Sequence, residues 1–257
     1  MGAHETLMPS AASVWREPDS SPLWDVFRAG TVLMHHVGAC GTDARPVTVT
    51  WANLACTPAG DARVLSAAER ARARDIDDAG GRARFVAGRT FVRRALGACI
   101  DGKPYCGEFV VGRFGKPRLP PPHASLGFNV SHAGDLIIAA IRPGGEIGVD
   151  IERRDRAIPP RLADVVFNHD EQDCLSRCDD WRSAFLLGWT CKEAVLKCIG
   201  CGLLRDPKRI KVFIDNDGVR NSIAQAYSER GEPIGTYRIT LLPWSGEMLG
   251  VMAVSCA

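Results

Sequence analysis

The strongest constraint on this chain is an alternating run followed about forty residues later by a helical one. In Ile147-Gly148-Val149-Asp150-Ile151-Glu152 the aliphatic residues occupy every second position. As a strand, that pattern sends Ile147, Val149 and Ile151 into a core and leaves Asp150 and Glu152 together on the other face. Two residues along a strand span about 6.6 Å, so both carboxylates can reach one hard cation. In Trp189-Thr190-Cys191-Lys192-Glu193-Ala194-Val195-Leu196-Lys197 a helix places Glu193 one turn before Lys197. Three carboxylates and the lysines Lys192 and Lys197 could therefore converge on a metal-bound phosphate. The plainer reading is a solvated strand face and an ordinary i,i+4 ion pair worth about 0.3–0.5 kcal/mol.

The remaining elements follow from local patterns. Thr31–Met34 and Val47–Trp51 read as two neighbouring strands, with the His35-His36 pair near the end of the first and no ligand set around it. Ser66-Ala67-Ala68-Glu69 is a capping box that opens an arginine-rich helix, interrupted by Asp77-Asp78-Ala79-Gly80-Gly81. A second helix runs from Arg82 to a stop near Gly97, with Phe85, Val92 and Leu96 facing a core. Arg82, Arg89 and Arg93 fall on another side of it, as a solvated face or as an anion site. Phe114-Gly115-Lys116-Pro117 offers a lysine on a stiff turn. Phe128–His132 and Leu136–Ile141 read as strands joined by a three-residue loop, Ala133-Gly134-Asp135, with Ser131 and His132 at a strand end. Helices are expected over Arg161–Phe167, Glu171–Arg177 and Trp181–Ile199, and a strand-rich end follows, with Asp217-Gly218 as a hairpin signal. Strands and helices recur in a similar order in both halves, which suggests an α+β duplication with a cleft between them.

Charge and cysteine content narrow the functional classes. Lysine plus arginine (32) nearly balances aspartate plus glutamate (30), so a net charge of +2 offers no general case for nucleic-acid binding. The first thirty residues lack a basic start leading into an apolar run, and no stretch is apolar enough for a membrane span, so a cytoplasmic protein is expected. Ten cysteines in 257 residues could form a disulfide framework. With 46% hydrophobic content to build a core, reduced thiols are the better expectation, and Cys174, Cys178, Cys191 and the run Cys198-Ile199-Gly200-Cys201 are read as small buried thiols rather than as a zinc site.

Four runs in this order, Phe114–Pro117, Phe128–His132, Gly148–Glu152 and Trp189–Lys197, resemble the signatures of the Sfp-type 4'-phosphopantetheinyl transferases. The resemblance extends from about Leu65 to the C-terminus. It implies two similar α+β halves in one chain, residues 31–145 and 146–257 after a partly ordered arm over 1–30, with the active site between them. It also implies transfer of the 4'-phosphopantetheine arm of coenzyme A to a serine of an apo acyl or peptidyl carrier protein, with release of adenosine 3',5'-bisphosphate. By analogy Asp150, Glu152 and Glu193 would hold Mg2+. Lys116, Ser131 and His132 would contact the phosphates, and arginines such as Arg82, Arg84 and Arg89 the nucleotide end. Lys197 would stabilise the leaving bisphosphate, and Glu193 would take the serine proton unless it is a metal ligand. A monomer is expected, since both halves of the cleft lie in one chain. Two readings from other classes use the same residues: a Mg2+-dependent nucleotide pyrophosphohydrolase, and a non-catalytic binder of coenzyme A or of carrier proteins.

Overall fold

In the computed structural model, which describes residues 30–34, 46–57, 59–202, 205–215, 218–244 and 246–256, two antiparallel sheets pack face to face with a long helix outside each. The first sheet comes from β1 (Gly30–Met34), β2 (Val47–Asn53), β5 (Leu126–Ala133) and β6 (Leu136–Pro143), in the order β1-β2-β6-β5. Between β2 and β5 lie α1 (Ala67–Arg74), α2 (Ala79–Ile100) and the two-residue strands β3 (Val110–Val111) and β4 (Pro117–Arg118). The second sheet begins with β7 (Ile147–Arg153). It is completed, after α3 (Leu162–Val166), α4 (His169–Ser176) and α5 (Trp181–Ile199), by β8 (Ile210–Asp215), β9 (Gly218–Tyr227), β10 (Pro233–Leu242) and β11 (Met248–Cys256). Its order is β7-β11-β10-β9-β8. In each sheet a strand that precedes the long helix pairs with the last strand of its sheet, β2 with β6 and β7 with β11. The expected α+β class is borne out.

Alternation explains how the sheets meet. Ile147, Val149 and Ile151 of β7 are buried with Met252 and Val254 against Val47, Val49, Ile138 and Ala140 of the first sheet. Each of the valine, isoleucine and methionine side chains contributes about 1.5–3 kcal/mol relative to exposure. The other face of the second sheet packs on α5 through Ala194, Val195 and Cys198. At Gly148 a Cβ would lie 1.9 Å from the Ala194 carbonyl oxygen and 2.4 Å from the Cys198 nitrogen. Only glycine lets the helix lie this close to the strand.

The helix ends follow side-chain chemistry. Ser66 and Glu69 form the expected capping box on α1, Asn168 and Glu171 form another on α4, and Asp180 caps α5. Gly200, at φ 82°, ends α5 at the expected place. Two expectations need correction. The helix read as stopping near Gly97 continues to Ile100; Gly97 is not a stop but a close-approach point, where the Lys103 carbonyl would lie 1.7 Å from a Cβ. The β5–β6 turn has two residues, Gly134 and Asp135, since Ala133 pairs with Leu136. Cys191, Cys198 and Cys201 are buried as expected, but Cys174 is exposed on the short surface helix α4. The arm over 1–29 and the His35-His36 pair lie outside the described residues.

Candidate active site

Strand β5, at one edge of the first sheet, and β7, at one edge of the second, lie side by side without a backbone ladder. Side chains take the ladder's place. Asn129 Oδ1 accepts from the Val149 backbone N–H at 2.9 Å, and Ser131 Oγ accepts from that of Ile151 at 3.4 Å. Asn129 and Ser131 are two residues apart and so share a strand face.

A three-membered polar cluster forms where α5 crosses this seam. Lys197 Nζ donates to Asp150 Oδ1 at 2.6 Å and to Ser131 Oγ at 2.8 Å, while Ser131 Oγ donates to the same Asp150 oxygen at 2.9 Å. Ser131 thereby gives its one proton and receives two, the full capacity of a hydroxyl. Asp150 is buried, and its second oxygen, Oδ2, has no hydrogen-bond partner among the described residues. Beside the cluster opens a cleft of about 530 Å³, lined by Ser131, His132, Asp150, Glu152, Arg156 and Lys197 among others. His132 is exposed at its rim.

The neighbouring carboxyls feel burial and each other. Burial first, then the charge of Asp150, pushes the Glu193 carboxyl up to about 7 against the pull of Lys197. Glu152 is raised from its ordinary value mainly by burial, with Asp150 adding to it, although Trp189 Nε1 donates to Glu152 Oε1 at 2.8 Å. The Arg156 guanidinium also pairs with Glu152 and lies 5.1 Å from the centre of the Trp189 ring. Among the described residues, no three His, Cys, Asp or Glu side chains are gathered in position to hold a metal ion. The three-carboxylate cage expected of Asp150, Glu152 and Glu193 is thus not assembled. Lys197 takes one oxygen of Asp150, and Arg156 with Trp189 holds Glu152.

Other residues expected at the site lie elsewhere. Lys116 is buried, and its ammonium donates to Glu146 Oε2 at 2.7 Å and to the carbonyls of Ile147 and Cys198, each at 2.9 Å. All three donors are occupied by protein. Lys192, five residues before Lys197 and so on a different side of α5, is buried against Glu171 Oε2 at 2.6 Å. None of Arg82, Arg84 and Arg89 lines the cleft. Arg82 binds the carbonyls of Ile76 and Asp77 at the start of α2, Arg84 is exposed, and Arg89 lies 3.7 Å from Glu69. Arg93, read with Arg82 and Arg89 as one face, is instead fully buried. Its guanidinium binds Glu69 Oε2 at 2.6 Å and the carbonyls of Tyr105 and Gly107. Asn129, Arg156 and Trp189 are the site residues that motif reading passed over. Asn129 and Trp189 lie inside the quoted runs, and only the alternation placing Asn129 beside Ser131 signals a role.

Residues 146–240 match the family described as the 4'-phosphopantetheinyl transferase superfamily. The resemblance read from the four runs is borne out by this match and by the similarity to curated relatives of the same name. The chain is 35% identical over 149 residues to the 4'-phosphopantetheinyl transferase HetI of Nostoc sp., covering 56% of this chain and 63% of the relative. It is 38% identical over 124 residues to the 4'-phosphopantetheinyl transferase AcpT of Salmonella typhimurium, covering 45% and 58%. To the human L-aminoadipate-semialdehyde dehydrogenase-phosphopantetheinyl transferase it is 30% identical over 128 residues, covering 45% and 41%. The chain thus spans about three fifths of the length of the first two relatives. Among the described residues, no helix is long and apolar enough to cross a membrane.

Proposed function

We propose that this protein transfers the 4'-phosphopantetheine arm of coenzyme A to a serine of an apo acyl or peptidyl carrier protein, releasing adenosine 3',5'-bisphosphate. The observation that carries the reading is the Lys197–Asp150–Ser131 cluster beside a cleft, with Glu193 and Glu152 close by; all of these but Ser131 lie in the segment matched to the transferase superfamily. Breaking a phosphoanhydride demands neutralisation and alignment of crowded negative charge. Lys197, fixed by two hydrogen bonds at the edge of the cleft, offers an immobile positive charge to the leaving bisphosphate. His132 and Arg156 bring further donors to the same cleft. The two halves, residues 31–145 and 146–257, would each supply one side of the site, β5 from the first and β7 with α5 from the second.

The residues present fit a magnesium ion. Among the described residues Asp150 Oδ2 is a buried acceptor without a donor, and Glu193, raised first by burial and then by the Asp150 charge, lies within reach of that charge. Mg2+ is held by one or two carboxylates with substrate phosphates and waters, so Asp150 and Glu193 would suffice, with Glu152 behind them. When bound, the ion would neutralise charge on the diphosphate. Arg82, Arg84, Arg89 and Lys116 have no contact with this cleft and are not assigned to coenzyme A.

The test is to incubate the purified protein with coenzyme A, Mg2+ and several apo carrier proteins and to look by mass spectrometry for the added arm. Release of adenosine 3',5'-bisphosphate without a carrier would favour a pyrophosphohydrolase. Tight coenzyme A binding with no product from any carrier would favour the non-catalytic binder.

A further inference from the structure

Lys116, the residue just before β4, reaches from the first half to two backbone segments of the second. Its stem lies beside Gly200, where a Cβ would stand 2.9 Å from Lys116 Cδ, and its ammonium sits against the C-terminal end of α5. The Cys198 carbonyl it binds is among the last four of the helix, which have no partner within it. A cation there also meets the negative end of the helix dipole. The second carbonyl belongs to Ile147, the first residue of β7. The third partner, Glu146, is also gripped by Arg118. Burial raises the Glu146 carboxyl, but Lys116 and Arg118 outweigh it and hold it below its ordinary value.

The two carbonyls are adjacent to the site in sequence. Cys198 follows Lys197 directly, and Ile147 lies three residues before Asp150 on the same strand. The Lys197–Asp150 contact depends on how far α5 slides along β7. Gly148 allows the close approach but does not set its register, since a bare backbone contact has no side chain to lock it. Lys116 binds both backbones at once with a single ammonium.

We infer that Lys116 is a positioning residue: its ammonium, occupied by three protein acceptors, pins the end of α5 to the start of β7 and so sets the geometry of Lys197 against Asp150. This rests on the proposed transferase reading for its kinetic consequence, while its structural consequence stands apart from that reading.

The experiment compares wild type with Lys116→Met in steady-state transfer and in hydrogen–deuterium exchange. The expected result is a fall in kcat of about 10- to 100-fold, as sub-ångström misplacement of a catalytic group produces, with KM for coenzyme A unchanged. Exchange should quicken in residues 147–151 and 194–200 and stay the same in α2. A raised KM for coenzyme A with unchanged kcat and unchanged exchange would overturn the inference and make Lys116 a phosphate ligand. A lowered melting temperature with kcat, KM and local exchange all unchanged would overturn it too. If Lys116→Met fails to fold, Lys116→Arg is read by the same criteria, because a planar guanidinium cannot reproduce the three-way ammonium geometry. If wild type transfers nothing to any carrier protein, the proposed function fails, and exchange in the two segments alone decides the pinning role.

Discussion

Asp150 Oδ1 lies 2.6 Å from Lys197 Nζ across the contact between β7 and α5, but the two side chains differ in exposure, 7% for the aspartate and 26% for the lysine. That asymmetry decides what each deletion costs. Lys197 freed of its partner can reach water, whereas Asp150 freed of Lys197 stays buried with Ser131 as its remaining donor. Lys197→Met is therefore expected to destabilise by roughly 3 kcal/mol and Asp150→Ala by only about 1 kcal/mol. The double variant should recover much of the difference. Urea unfolding of the four proteins checks this, and equal costs for the two single variants would contradict it.

Activity should follow a different order from stability. Asp150→Ala keeps the fold but removes both the anchor of Lys197 and the buried oxygen available to a cation, so carrier modification should fall by at least about 100-fold. Combined with Lys197→Met, Asp150→Ala should recover much of the stability lost in Lys197→Met alone and no activity. Turnover near wild type in the purified Asp150→Ala variant would remove this residue from the mechanism.

Gly148→Ala probes the seam itself. The new methyl would stand 1.9 Å from the Ala194 carbonyl oxygen, a backbone atom that can move only with the helix. Displacing α5 should cost about 1–3 kcal/mol and should also separate Lys197 from Asp150. The expected signature is a lowered kcat at temperatures where circular dichroism still reports a folded protein. A stable, fully active Gly148→Ala protein would mean that α5 shifts without consequence.

The arginines separate into charge that binds protein and charge that faces water. Arg93 is completely buried, and its loss would leave Glu69, 12% exposed, with the Ser66 backbone N–H and the more distant Arg89 in place of a close guanidinium. Arg93→Met is expected to destabilise by about 3–5 kcal/mol and to leave KM for coenzyme A unchanged in whatever fraction folds. Arg84→Ala, at an exposed position, should change neither by a measurable amount. A raised KM in Arg93→Met, measured against active protein, would return Arg93 to the ligand side.

Patterns of period two and 3.6 were legible wherever one face was buried and the other was not. Ile147, Val149 and Ile151 on β7, and the span of α5 from Trp181 to Ile199, follow directly from the chain. The capping pairs Ser66–Glu69 and the stop at Gly200 did as well, because those contacts are local. Lys116, Arg93 and Lys192 were not legible. Each is a long cation whose partners lie far along the chain: Cys198 for Lys116, Glu69 for Arg93 and Glu171 for Lys192. A sequence shows a cation's charge but not whether a distant carbonyl or carboxylate will meet it in the core. The same limit applies to Glu152, where Arg156 is near in sequence but Trp189 is not.

Glu193 is the group on which ligand and base roles compete. Its carboxyl is raised to about 7 by burial and by Asp150, so in the absence of a cation it holds a proton over part of the neutral range. A divalent ion shared with Asp150 would favour the charged form, and a carboxylate so held no longer serves as a free proton acceptor. Glu193→Gln separates the roles, since the amide keeps an oxygen donor but loses the negative charge. As a ligand, Glu193 should be read out in the metal dependence: the Mg2+ concentration for half-maximal transfer is expected to rise by about tenfold or more, with activity partly regained at high Mg2+. As a base, its loss would depress turnover equally at all Mg2+ concentrations and leave the half-activation point where it was. The positions of Asp150, with one oxygen unpartnered, and of Glu193 in its field favour the first result, and a magnesium titration of wild type and variant distinguishes them.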